Sequence, residues 1–397
     1  MPAPDPQAAA SDAMAPVAAP DTAPAARLAS LDAFRGGVIL LMLLVNAVGQ
    51  DVFTSTAGNG RAWADAFPAQ LFHAYRSGGR LEVTLADLVF PWFMLIVGVS
   101  VAFSMTRGRG RGLGPWGRVA AALRRSVILY ALGCLIHAAQ TAPEVPLTWR
   151  IALTTNVLTE IAAAYFLGVL AFHLPRGARA GVVAAVLLGK WALLRHVPPP
   201  AAAGSGQDML AYLRAHAAPL ASLLTLSGRA SIVVIGTIAG EALAGGARGR
   251  GAAAGLMGAG VALALVALAW RLDCPFDHLG ASPSYALLGA GTGLALLGAA
   301  YGAIDAGRWV SARPLVVVGL NPIAVYVTVE LLWPMVLTRW KAAGPGGAVF
   351  PLALAAAEWV GRATGPVAAA WLLAAAYVGL CWQGARWLSG RGIYIKV

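Results

Sequence analysis

Apolar runs long enough to cross a bilayer recur from one end of this chain to the other, and no other feature restricts its fold as much. Ten such stretches lie near residues 29–50, 84–105, 119–139, 151–172, 179–196, 222–244, 252–270, 284–303, 314–337 and 366–388. Each approaches the roughly 20 residues that a bilayer core requires of a helix. The runs are continuous, whereas a barrel would alternate apolar and polar residues along ten-residue strands. Only 12% of the residues are charged, about half of the ~25% found in soluble globular proteins. The sequence therefore predicts an all-α, polytopic membrane helix bundle with about ten transmembrane helices. The stretch 348–363 is short and carries Glu358 and Arg362, so it reads as an interfacial or re-entrant helix rather than an eleventh span. Residues 1–28 are rich in Ala and Pro and lack a basic segment followed by an apolar core. They read as a disordered tail and not as a signal peptide, leaving 29–397 as one transmembrane domain.

The net charge of +12 is not read as a nucleic-acid signal, because the arginines cluster in short loops between apolar runs. Arg107, Arg109, Arg111 and Arg118 follow the second run, and Arg124 and Arg125 open the third. Arg176 and Arg179, Arg248 and Arg250, and Arg308 and Arg313 occupy later loops of the same parity. By the positive-inside rule both termini are expected in the cytoplasm, with the 51–83 loop facing outward. Cys134, Cys274 and Cys381 are far apart and show no metal-ligand spacing.

Polar residues inside apolar runs are costly and mark function or internal pairing. Ser30 is placed to cap the first helix, and Asp32 suits its positive end. Asp32 and Arg35 stand at i, i+3 and can pair, but Arg35 lies at a depth where an arginine faces the protein interior. Asn46 sits near the outer end of the same run, where an interhelical hydrogen bond is the ordinary role. Thr84 and Asp87 read as a capping box with Asp in the Glu role, and Pro91 perturbs the turns that follow. His73 precedes them in the outer loop, where Asp87 can orient an imidazole. His137, His173, His196, His216 and His278 have no ligand spacing to His73 or to one another, so no metal site is expected. Asn156, Glu160, Glu241, Asn321, Tyr326 and Glu330 interrupt later runs. All but Glu241, which can snorkel from the cytoplasmic end, are expected to line an internal polar channel.

Six segments, in order, resemble the transmembrane acetyltransferases typified by heparan-α-glucosaminide N-acetyltransferase. They are "RLASLDAFRGGVILLMLLVN", "HAYRSGGRLEVTLADLVFPWFMLIVGVS", "NVLTEIAAAYF", "SPSYALLGAGTGL" with "AIDAGRW", "VVVGLNPIAVYV" and the terminal "GRGIYIKV". The first two carry most of the specificity; the second follows a family pattern HA-x-W-x-G-x-T-x-x-DLVFPFF. The chain departs from that pattern in lacking the tryptophan after the histidine and in a longer histidine-to-threonine spacing. Thr159 and Glu160 also stand where the family usually has Gln and Arg.

The resemblance implies transfer of an acetyl group from cytoplasmic acetyl-CoA to an amino sugar or another glycan on the opposite face of a bacterial inner membrane. It implies catalytic roles for His73, Asn46 and Asp87, with Arg35, Arg124 and Arg125 as the candidates for the CoA phosphates. Its partners would be a glycan or small-molecule acceptor and membrane lipids, and the resemblance admits a homodimer. The competing readings are a secondary transporter or permease, since buried acids also serve ion coupling, and a non-catalytic protein that keeps the fold.

Overall fold

The structure is a computed structural model that describes residues 28–49, 66–74, 82–110, 112, 114–141, 156–199, 209–246, 248–307 and 311–395. The expected N-terminal tail and the 75–81 part of the histidine loop lie outside these residues. Thirteen α-helices and one short β-hairpin make up the described part. Eight helices are long and apolar enough to cross a membrane, which makes the chain a polytopic, nearly all-α integral membrane protein. They are α1 (Ala29–Gly49), α2 (Leu85–Gly110), α3 (Pro115–Gln140), α5 (Arg176–His196), α7 (Ala218–Ala244), α8 (Gly249–Trp270), α9 (Pro283–Tyr301) and α13 (Pro366–Gly390).

The other two expected spans take different forms. Helix α4 (Val157–Ala171) is only 15 residues long. The 314–337 run is broken into α10 (Arg313–Gly319) and α11 (Pro322–Leu332), and the second half, continued to Leu337, bends 73° from the first. Pro322 supplies no backbone donor and opens a new helix. The fully buried Asn321 fills the break: its Nδ2 donates to Ile393 O at 3.0 Å, and its Oδ1 accepts from Ile395 N at 2.9 Å. The side chain thus pairs with the C-terminal segment as a peptide group would. The 348–363 stretch becomes strand β2 (Val349–Pro351), paired antiparallel with β1 (Lys341–Ala343), and then α12 (Leu352–Thr364). Thirteen residues rise only about 20 Å, too little to span. Between α5 and α7 lies the short α6 (Met209–His216).

Helix α2 is the centre of the bundle. Met94, Leu95, Val99, Val101 and Ala102 are completely buried, as expected of a helix apolar on every face. It lies against α7 where Gly98 faces Val233 and Gly236. A methyl group added at Gly98 would overlap the Val233 carbonyl, so glycine is what permits this backbone contact. Gly36 of α1 and Gly319 of α10 allow a similar approach. The outer helices α5, α8 and α13 expose Leu188, Val261, Leu265, Leu372 and Leu380, the residue types a lipid-facing surface requires.

The start of α1 corrects one local reading. Ser30 is not the cap; its Oγ is buried with no hydrogen-bond partner among the described residues. Asp305, in the π-turn that prolongs α9, accepts instead from Ala29 N at 3.1 Å and Ser30 N at 3.0 Å. The helix dipole favours a carboxylate there whatever its position in the sequence.

Candidate active site

Helices α1, α2, α3, α4 and α11 enclose a cavity of about 1310 Å³, larger than the roughly 300–1,000 Å³ of common ligand pockets. Arg35, early in α1, donates to Ser100 Oγ, late in α2, at 2.7 Å, so these two helices run antiparallel. The cavity therefore has two chemically different ends. Arg35, Arg107, Arg118 and Arg125 line one, while Asn46, His73, Gln140 and Glu330 line the other.

At the second end, the Asp87 side chain is completely buried in the first turn of α2. Its Oδ2 accepts from Ala74 N at 3.1 Å, Thr84 N at 2.9 Å and Thr84 Oγ1 at 3.0 Å. One arm of the expected capping box is therefore present. Thr84 Oγ1 also reaches Phe72 O at 2.7 Å, which ties the histidine loop to the helix start. Asp87 Oδ1 is thereby turned toward His73, whose Nδ1 lies 2.7 Å away. A carboxylate acceptor places the proton on Nδ1 and makes Nε2 the basic nitrogen. Tyr285 OH donates to the Asp87 carbonyl at 2.5 Å.

A second imidazole joins this pair, one that linear spacing had set apart. His278 Nε2 lies 3.8 Å from Asp87 Oδ1, and its ring stacks on that of His73 at 5.7 Å and 6°. His278 belongs to the α8–α9 loop, which is firmly held. Lys190 Nζ of α5 donates to Gly280 O at 2.8 Å and Ala281 O at 2.9 Å. Ser284 Oγ donates to Cys274 O at 2.5 Å. Burial holds the His278 imidazole below the ordinary histidine range, against the opposing pull of Asp87. The polar cluster "DCPFDHLGASPS" between two apolar runs was the available signal. His73, Asp87 and His278 offer one ligand atom each within 4.8 Å of one another, a grouping the search for metal spacing missed. The 2.7 Å separation of Asp87 from His73 is hydrogen-bond spacing and suits a shared proton.

Beside this group, Asn46 Nδ2 donates to Glu330 Oε1 at 3.2 Å, and Gln140 Nε2 donates to Glu330 Oε2 at 2.7 Å. Tyr326 also hydrogen-bonds Glu330, and both line the cavity. Asn156 lines it too, but its polar atoms are engaged. Its Oδ1 caps α4 and its Nδ2 donates to Gly133 O at 2.7 Å. Two residues expected in the channel are not in its wall. Glu160 is ion-paired with Arg229 of α7, a partner the sequence reading did not identify, and Asn321 serves the helix break. Glu241 pairs with Arg176 and Arg179.

At the arginine end, Arg35 bonds Asp32 at 3.0 Å and Gly319 O at 3.3 Å. Arg125 lies over the Tyr165 ring at 5.4 Å. Arg124 is exposed and outside the cavity wall, since its neighbour Arg125 takes the inward direction. Arg118 is buried there, and its Nε has no hydrogen-bond partner among the described residues. Among the described residues it adds to the cation set that sequence reasoning assigned.

No protein-family model matches the chain. Over 140 residues, 35% of the chain, it is 33% identical to Heparan-alpha-glucosaminide N-acetyltransferase of Homo sapiens. The protein of the same name from Mus musculus is 31% identical over a stretch of the same length. The match spans 18% of the length of each of these curated relatives. Over that stretch, the chain is related to acetyltransferases.

Proposed function

We propose that this protein transfers an acetyl group from acetyl-CoA, held at the arginine end of the cavity, to a glycan acceptor at the His73 end. The observation that carries this reading is the buried Asp87 carboxylate hydrogen-bonded to His73, at one end of a cavity whose other end is lined by arginines. The relation to acetyltransferases supports the reaction class. With the arginine end cytoplasmic, as charge placement favours, both termini lie inside and His73 faces the periplasm of a bacterial inner membrane. CoA phosphates suit Arg118, Arg125 and Arg35, because guanidinium groups bind phosphate through paired N–H donors.

His73 Nε2 takes a proton from the acceptor amine or hydroxyl as that atom attacks the thioester carbonyl. The C–N or C–O bond forms, the C–S bond breaks, and the CoA sulfur leaves with the proton. Asp87 keeps the imidazole in the required tautomer and stabilises its protonated form. Asn46 uses one amide hydrogen on Glu330 and keeps the other for the developing oxyanion, a contact worth about 3 kcal/mol elsewhere. The same atoms also permit an acetyl-histidine intermediate. Purified protein given labelled acetyl-CoA and a glucosamine-type acceptor should yield acetylated product, and His73→Ala should abolish it. Full turnover by His73→Ala would remove the histidine from the reaction.

A further inference from the structure

Lys190 stands in α5 and is only 3% exposed. Its Nζ donates to Leu224 O of α7 at 2.6 Å, to Gly280 O at 2.8 Å and to Ala281 O at 2.9 Å. An ammonium has three N–H donors, and here each meets one backbone carbonyl. A lysine buried in a membrane helix is costly and marks function; this one is given over to the α8–α9 loop. That loop carries a second cost. Ala281 has φ +49° and is the one left-handed residue other than glycine among the described residues, a conformation its Cβ opposes. Such strain persists only where the surroundings enforce it, and it collects at functional sites. Lys190 binds the carbonyls on both sides of the Ala281 Cα. A methyl group at Gly228 of α7 would overlap Ala281 O, so α7 presses on the same point. Asp277 closes the turn: its O accepts from Ser282 N at 2.9 Å, and its N donates to Ser282 Oγ at 3.0 Å.

What this turn delivers is His278. Its ring stacks on His73 at 5.7 Å and 6°, and its Nε2 lies 3.8 Å from Asp87 Oδ1. That last distance is too long for a hydrogen bond, so His278 does not take Asp87 away from His73. It offers His73 a flat wall instead. The wall is needed, because the His73 side chain is 38% exposed and exposed side chains change rotamer within nanoseconds. We propose that Lys190 is a positioning residue for the His73 site. By fixing the Gly280 and Ala281 carbonyls it seats His278 against His73. The stacked ring then holds His73 in the plane that keeps Nδ1 on Asp87 and leaves Nε2 to act as base. For the role of Nε2 this rests on the acyltransferase reading; the seating of the two rings does not.

The test is carbethoxylation of the purified full chain by diethyl pyrocarbonate, followed histidine by histidine with mass spectrometry. Lys190→Met keeps the length of the side chain and removes its donors. It should raise the modification rates of His278 and His73 several-fold and leave His173, at the far end of the bundle, unchanged. Glycine adopts a positive φ freely, so adding Ala281→Gly to Lys190→Met should bring both rates back toward wild type. In acyl transfer, Lys190→Met should lower kcat and leave the KM for acetyl-CoA unaltered. Wild-type rates at both histidines in Lys190→Met would overturn the proposal, as would a rise at His278 alone. His278→Ala touches no contact of Lys190 and tests the stack by itself. An unchanged His73 rate in that variant would overturn the proposal however Lys190→Met folds. A chain that shows the expected rates but never consumes acetyl-CoA would overturn the acyltransferase reading and leave the seating of the two rings standing.

Discussion

Replacing Asp87 with Asn should silence acyl transfer while sparing the fold, and the structure fixes the direction of the effect. Asp87 Oδ2 accepts from Ala74 N, Thr84 N and Thr84 Oγ1. Turning an amide nitrogen toward those donors would set N–H against N–H, so the asparagine oxygen must take the Oδ2 position. The amide nitrogen then faces His73 Nδ1, which is forced to accept. That drives the imidazole proton to Nε2, where a base is needed. In a hydrolase triad the equivalent change lowers turnover by about 10⁴-fold, or roughly 5.5 kcal/mol of barrier. The cost in stability is smaller, because all three donors keep an acceptor. Loss of charge assistance there is worth about 1–3 kcal/mol. Single-turnover transfer from labelled acetyl-CoA gives the first quantity, and thermal unfolding in detergent gives the second. Asp87→Asn with activity within tenfold of wild type would refute the orienting role. A collapsed melting temperature would show that Asp87 acts mainly as a structural cap.

Two further outcomes follow from the same geometry. The His278 imidazole is held below its ordinary value by burial, so an unfolded chain binds the proton more readily. This group therefore lowers stability as pH falls below about 6.5, the unperturbed histidine value. His278→Gln should flatten the acid side of a melting-temperature profile, and an unchanged acid limb would count against a buried neutral His278. Gly98→Ala should cost about 1–3 kcal/mol, because the new methyl overlaps the Val233 carbonyl; unaltered thermal unfolding would show that α2 and α7 can separate freely.

Much of the fold was legible because spanning helices need long continuous apolar runs, and all ten runs contain helix. The break between α10 and α11 was not, since Pro322 inside an apolar run fits a kink as well as a 73° corner. What decides it is Asn321 binding backbone some seventy residues away. The same limit explains Ser30 and Asp305. A local cap was the natural reading, and the actual acceptor comes from a distant turn. At the site, His73 and Asp87 were legible because they lie on one short segment, joined by Thr84. His278 was not, because only the packing of α9 against α2 brings the α8–α9 loop over Asp87. Glu160 looked like a channel acid because its neutraliser, Arg229, belongs to another helix.

The borrowed cap on α1 has a consequence for how the chain is made. Helix α1 leaves the ribosome first among the described elements, with the N–H groups of Ala29 and Ser30 still lacking the acceptor they will use. That acceptor, Asp305, is synthesised some 275 residues later. During most of translation, water must serve those two amides, which holds the start of α1 at the membrane surface. The helix can still tilt and slide while its neighbours arrive. Only when α9 is inserted does the carboxylate reach across and fasten the first helix to the ninth. Asp305 is thus a late latch on the assembly, and its removal should be felt by the biogenesis machinery as an α1 that never finishes docking.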